Sequence, residues 1–208
     1  MSHQKKRAFN FKIETFKRYG VELDLKYAKK TWKLLEHAIH EIYNHKASGL
    51  SFEEHYRNAY NMVLHKYGEK LYSGLVATMT WHLKEISRCI ESARKWGDHN
   101  MALQMIRDIL MFMDRTFVPS SHKTPVNELG LNLWRDNIIH SSETQRRLLN
   151  TLIDCVNKER TGEFINRGLI RNIVKMLMDL GPSVYQQDFE KPFLEVPTNF
   201  FRAESQHT

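Results

Sequence analysis

The chain has 208 residues, enough to bury a substantial core, and its 41% hydrophobic and 26% charged content is that of a soluble globular protein. A net charge of +7 with pI near 9.4 permits an acidic or nucleic-acid partner. The positive residues are scattered, however, apart from Lys5-Lys6-Arg7, a weak nuclear-import signal at best, so a nucleic-acid-binding surface is not expected. No apolar run reaches the roughly 18 residues of a membrane span and no secretory h-region is present. Two isolated cysteines, Cys89 and Cys155, read as reduced core thiols of the cytosol or nucleus.

Taken in order, residues 1–22 form an extension of different texture. From Arg7 to Phe16 apolar and polar residues alternate, with Phe9, Phe11 and Ile13 on one side, as in an extended segment. No second strand is available to pair with it, so it is loose or laid into a groove, its own or a partner's. Asp24 then caps a helix predicted to run to about Lys46, with Ala28, Trp32, Leu35, Ile39 and Ile42 as its buried stripe and Gly49 beyond its end. Within it, His40-Glu41-Ile42-Tyr43-Asn44-His45 resembles a zinc-protease string. Zinc needs two His at i, i+4 on one helix face. Here the spacing is i, i+5, which turns the second imidazole away by about 100°, and no metal is expected. His37 and His40 are expected on a solvated face.

Next comes Gly49-Leu50-Ser51-Phe52-Glu53-Glu54-His55-Tyr56-Arg57-Asn58-Ala59-Tyr60. Ser51 followed three residues later by Glu54 is a capping box, opening a helix predicted to reach Tyr67 with Gly68 as its stop. Phe52, Tyr56, Ala59, Tyr60, Met62, Val63 and Leu64 cover an arc of about 200°, where one core needs only somewhat more than about 100°. The surplus half carries Phe52, Tyr56 and Tyr60, bordered by Glu53 and Arg57. Either a second helix covers this face or it is an anchor stripe for a partner.

Helices are further predicted over Glu69–Arg94, Asp98–Phe117, Val126–Arg160 and Ile165–Leu180, the last stopped by Gly181-Pro182. On the flank of the second of these, Asp108, Phe112 and Arg115 form another exposed aromatic and charged patch. Beyond Leu180, Tyr185, Phe189, Phe193, Leu194, Phe200 and Phe201 supply apolar density that calls for docking onto the preceding helices. No phosphate-binding Gly-rich loop, nucleophile elbow or convergent carboxylate pair occurs. The reading is all-α: antiparallel helices that present surfaces, with no enzyme chemistry and no cofactor.

Four strings carry a resemblance to a known family: the block from Asn44 to Lys66, Gly68-Glu-Lys-Leu-Tyr-Ser-Gly-Leu75, Met105-Ile-Arg-Asp-Ile-Leu-Met-Phe-Met-Asp-Arg115, and Tyr185-Gln-Gln-Asp-Phe-Glu-Lys-Pro-Phe-Leu-Glu195. The chain resembles the N-terminal region of the cullins, most nearly the cullin-3 branch, from about residue 8 to its last residue. The resemblance implies a cullin repeat, a five-helix bundle that stacks into a stalk, over residues 23–162, and the start of a second repeat over 163–208. It implies a scaffold of a RING-type ubiquitin ligase that grips BTB-domain adaptors, with Leu50, Phe52, Glu53, Tyr56 and Tyr60 as contacts on one helix and Phe112 and Arg115 on another. In the family the N-terminal extension packs beside the BTB domain, which suits Phe9, Phe11 and Ile13.

Four departures stand out against that pattern. His55 replaces a Leu that would staple against Leu50, with an expected loss of about 0.5–1 kcal/mol at the helix start. Phe112 replaces a Tyr, removing a hydroxyl whose hydrogen bond is worth roughly 0.5–1.5 kcal/mol. The segment Ile86–Trp96 is about ten residues shorter than the family's, about three helical turns. The chain also stops as a second repeat opens, without the RING-binding domain or the lysine that accepts a ubiquitin-like modifier. No RING subunit is therefore expected as its partner, and it is expected to compete with an intact ligase for adaptors. Two alternatives stay open: a degenerate product without adaptor binding, and a basic helical nucleic-acid binder.

Overall fold

The computed structural model describes residues 25–87 and 92–194. The extension with Phe9, Phe11 and Ile13, the Asp24 cap, Cys89, and Phe200 and Phe201 lie outside the described residues. The described residues are mainly helical, with no strand among them: α1 (Leu25–Tyr43), α2 (Phe52–Leu64), α3 (Gly68–Ser87), α4 (Ser92–Ile109), a short α5 (Val118–Ser120), α6 (Val126–Trp134), α7 (Ser142–Arg160) and α8 (Arg167–Asp179). Wide π-helical turns cover Met113–Phe117, Arg135–Ile139 and Val184–Glu190. No described helix is long and apolar enough to cross a membrane.

The helix ends differ from prediction for one recurring reason. α1 stops at Tyr43 rather than Lys46 because His45 adopts φ +60°. Its N–H then donates to the Ile42 carbonyl and the Lys46 N–H to that of Glu41, the paired bonds of a Schellman cap. Lys66, at φ +65°, closes α2 in the same way, with Tyr67 N–H on the Met62 carbonyl. Gly68 is therefore no stop. It opens α3, and it is glycine because a Cβ there would overlap the Phe117 ring. α4 begins six residues before the predicted Asp98, since Trp96, 6% exposed, pulls the first turn into the interior and Gly97 is carried within the helix.

The predicted single helix over 126–160 is two. After α6 the chain widens through Arg135–Ile139, which buries Trp134, Ile138 and Ile139 together. Ser141 then turns extended and caps α7, its carbonyl accepting from Gln145 N–H at 2.8 Å. The polar run between Ile139 and Leu148, His-Ser-Ser-Glu-Thr-Gln-Arg-Arg, marks this break in the sequence.

Two cores result. The first joins Ala28, Leu35, Ile39 and Ile42 of α1 with Met62, Leu71, Leu75, Met79, Ile106 and Met113. The second gathers Leu83, Trp96, Trp134, Ile138, Ile139, Leu152, Ile173, Met176, Leu177, Val184 and Phe189. The predicted docking of the C-terminal aromatics is present in Val184, Tyr185, Phe189 and Phe193, which pack on α8 and the second core.

Between the cores runs a seam of polar rings. His40 of α1 was expected in solvent beside His37; instead His37 is exposed and His40 turns inward, its Nδ1 2.8 Å from His82 Nε2. Tyr43 stacks on His82 at 4.3 Å, and its hydroxyl lies 3.2 Å from His99 Nδ1. Cys155 is half-buried and free.

Candidate functional site

The start of α2 is set locally. Leu50 is extended, half-buried and packed on the first core. Ser51 Oγ accepts the Glu54 N–H at 3.4 Å, so the forward half of the predicted capping box is in place; the return bond from the Glu54 carboxylate is not among the described hydrogen bonds. Glu53 and Glu54 fall in the first turn, where the helix dipole favours negative charge. Glu53 also accepts from Arg57 Nη2 at 2.7 Å, both side chains being well exposed, a pair worth only a few tenths of a kcal/mol.

The broad apolar arc of α2 divides in two. Ala59 and Met62 are fully buried and Val63 packs on the same core. Phe52 is 36% exposed, and Tyr56 and Tyr60 are half-buried. Of the two readings of this face, neither holds in full: α4 covers its inner edge and leaves the rest open.

Ring and ion-pair contacts fix how α4 lies. α1 is antiparallel to α2, with Tyr27 against His65 at one end and His37 acting on His55 at the other. It is antiparallel to α4 too, with Tyr43 against His99 and His45 Nε2 3.5 Å from Asp98. α2 and α4 therefore run parallel, side by side. Their aromatic residues meet where Tyr60 and Phe112 stack at 4.4 Å with planes tilted by 51°. Thus Phe52, Tyr56 and Tyr60, one turn apart along α2, reach Phe112 through Tyr60, which joins the two patches that are separate in the sequence; Leu50 precedes the first of these rings, and Arg115 follows Phe112 in the next turn.

Past Phe112 the π-helical turn takes over. Thr116 Oγ1 donates to the Phe112 carbonyl at 2.6 Å, and Asp114 Oδ1 accepts the Val126 N–H at 2.8 Å, tying the turn to the start of α6. Arg115 stays exposed, with no ion pair to it among the described residues. Such π turns concentrate at functional positions.

His55 stands at the fourth position of α2, half-buried, with Nδ1 buried and lacking a hydrogen-bond partner. Burial pushes its pKa below the ordinary imidazole value; Glu54 opposes that shift and His37 adds to it. The imidazole is thus a neutral, incompletely satisfied stand-in where an apolar side chain would staple.

Sequence reading missed two residues on this face. Met101, 57% exposed, and Met105, half-buried on the first core, share the flank of α4 that carries Phe112. The signal was the i, i+4, i+11 spacing of Met101, Met105 and Phe112, which falls within about 40° on a helix.

No cluster of three or more His, Cys, Asp or Glu able to hold a metal occurs among the described residues. His40 and His45 face different partners, His82 and Asp98. The face offers aromatic and thioether surface with a few charges at its border, the composition of a protein-binding patch.

The cullin alpha solenoid domain matches residues 32–208. The chain is 68% identical over 215 aligned positions to Cullin-3B and 62% identical over 216 to Cullin-3A, both of Arabidopsis thaliana, covering 99% of this chain in each case. It is 46% identical to Cullin-3 of Dictyostelium discoideum over 90% of its length. It spans 29% of the length of each Arabidopsis relative and 26% of the Dictyostelium one. With its helical architecture and this match over most of its length, the chain belongs to the cullin family.

Proposed function

We propose that the α2/α4 face docks BTB-domain adaptors, and that the chain serves as the adaptor-gripping end of a cullin-3-type scaffold in ubiquitin-dependent protein degradation. The observation that carries this reading is the Tyr60–Phe112 contact. It joins the two residue sets that the family resemblance assigns to adaptor binding into one surface, with Phe52 and Arg115 exposed at its edges. Phe52, Tyr56 and Tyr60 act as the anchors; the Glu53–Arg57 pair and Arg115 set register at the border. The role is non-catalytic, and contacts to a RING subunit are not assigned to this segment. Phe9, Phe11 and Ile13 are proposed to line the adaptor's flank.

Expressed as these 208 residues alone, the chain should compete with longer cullin-3 proteins for adaptors. Adding it to a reconstituted ligase should lower substrate ubiquitylation in proportion to its concentration, and added adaptor should restore it. Undiminished modification at saturating chain would contradict the reading. The orphaned His55 Nδ1 favours one rival, a retained fold whose docking face no longer binds, and the same titration separates the two.

A further inference from the structure

We propose that the docking face continues past Phe52 to Met101, and that this end takes an apolar side chain from the adaptor; the inference rests on the adaptor-docking reading and extends it. Because α2 and α4 run parallel, counting back one turn at a time from the Tyr60–Phe112 contact just beyond the end of α4 sets Asp108 level with Tyr56 and Gln104 level with Phe52. One turn further back the register reaches Met101, beside the segment that leads into Leu50. There the floor is open: Ser48 and Gly49 are exposed, and a Cβ added to Gly49 would meet nothing within 4 Å. Met101 is among the most exposed large apolar side chains described, at 57%, and it continues the Phe112–Met105 line.

Of the carboxylates around this end, Asp98 is held by His45 and Lys95, Glu53 by Arg57, and Asp108 accepts from Gln104, while Lys46 stands exposed beside Ser48 and Gly49. An apolar side chain would cover the Met101 thioether without displacing any of these pairs. Methionine is unbranched and polarizable and reshapes to different neighbours. Met101 thus supplies an adaptable contact that accepts leucine, isoleucine, methionine or phenylalanine from different adaptors, while the stiffer Phe52, Tyr56 and Tyr60 rings set the common position.

The test is calorimetric titration of the full chain with a purified BTB-domain adaptor, comparing wild type, Met101→Gln, Phe52→Ala and, as a distant surface control, Lys158→Gln, each checked for an unchanged thermal melt. Met101→Gln should weaken binding about tenfold, Phe52→Ala more, and Lys158→Gln not at all. Wild-type affinity in Met101→Gln with binding lost in Phe52→Ala overturns this extension and leaves the docking face standing. No binding by the wild type overturns both. Concentration-dependent dimerisation of the free chain, abolished by Met101→Gln in sedimentation, would assign the patch to a second copy of the chain and overturn the proposal.

Discussion

The Tyr43 hydroxyl and His99 Nδ1 lie 3.2 Å apart, and His99 Nε2 lies 3.2 Å from the Gly130 carbonyl. A carbonyl only accepts, so His99 carries its proton on Nε2 and receives the tyrosine proton at Nδ1. The imidazole, 0% exposed and packed on Trp134, is held as one neutral tautomer bridging α1, α4 and α6. His82 Nε2 lies 2.8 Å from His40 Nδ1, and burial keeps the His82 imidazole neutral as well.

Acid should therefore loosen this seam. Burial pushes the His99 pKa down to about 4, against the Gly130 hydrogen bond that opposes the shift, and burial followed by the His40 charge pushes His82 to about 4. Both folded values lie below the unfolded value of about 6.5. The stabilisation is then full above pH 6.5 and is lost as pH falls toward 4, where the unfolded chain binds the extra protons. His99 alone should contribute about 2–3 kcal/mol of loss between pH 7 and 4.5. Urea melts across that range should show the slope, and His99→Gln should flatten it. An equal slope in wild type and variant would count against the assignment.

Replacing His55 by Leu should raise stability by about 1 kcal/mol, by removing an unsatisfied buried nitrogen and restoring a staple to Leu50. The folded pKa of His55 is lowered, so its neutral form is the stabilising one and the benefit of leucine should grow as pH falls below about 6.5. The shift in urea midpoint at pH 7 and pH 6 measures both. A lower midpoint in His55→Leu would show that the imidazole is well accommodated.

Lys66 is exposed and holds φ +65° in the turn between α2 and α3. A non-glycine residue in that region costs roughly 1–2 kcal/mol, partly offset by the entropy a glycine loses on folding. Lys66→Gly should accordingly stabilise the chain by about 0.5–1 kcal/mol, read from the thermal midpoint, while Lys66→Ala gives no such gain.

Phe112→Tyr should strengthen adaptor binding. The ring is half-buried against Tyr60, and a hydroxyl added at its rim could hydrogen-bond an adaptor. One such bond is worth roughly 0.5–1.5 kcal/mol, a two- to tenfold gain in affinity by calorimetry. Weaker binding would mean that the adaptor leaves that position apolar.

What could be read ahead of the structure was whatever is encoded within one helix. The Ser51 cap, the buried stripe of α1 and the division of the α2 arc all follow from spacing. What failed depended on tertiary context. Gly49 and Gly68 looked like stops, yet the left-handed positions belong to His45 and Lys66, whose strain is offset by the Schellman bonds and by the packing on either side. The break at Ser141 follows from burying Trp134, Ile138 and Ile139 at once. The proposed docking face is legible in the sequence as two patches; their meeting at Tyr60 and Phe112 depends on the parallel course of α2 and α4. Met101 is not legible as surface from the sequence, because an apolar residue on a helix reads equally as core until the packing of the neighbouring helices is known. The His40–His82 and Tyr43–His99 contacts join residues 42 and 56 positions apart, and no local pattern announces them.

The central claim is that the α2/α4 face binds BTB adaptors. Calorimetric titration of the intact chain with a purified BTB domain, with Tyr56→Ala and Tyr60→Ala alongside, tests it most directly. The account predicts saturable binding by the wild type that both substitutions abolish or weaken at least tenfold while each variant still melts cooperatively. A wild-type chain that melts cooperatively and binds no adaptor would contradict it.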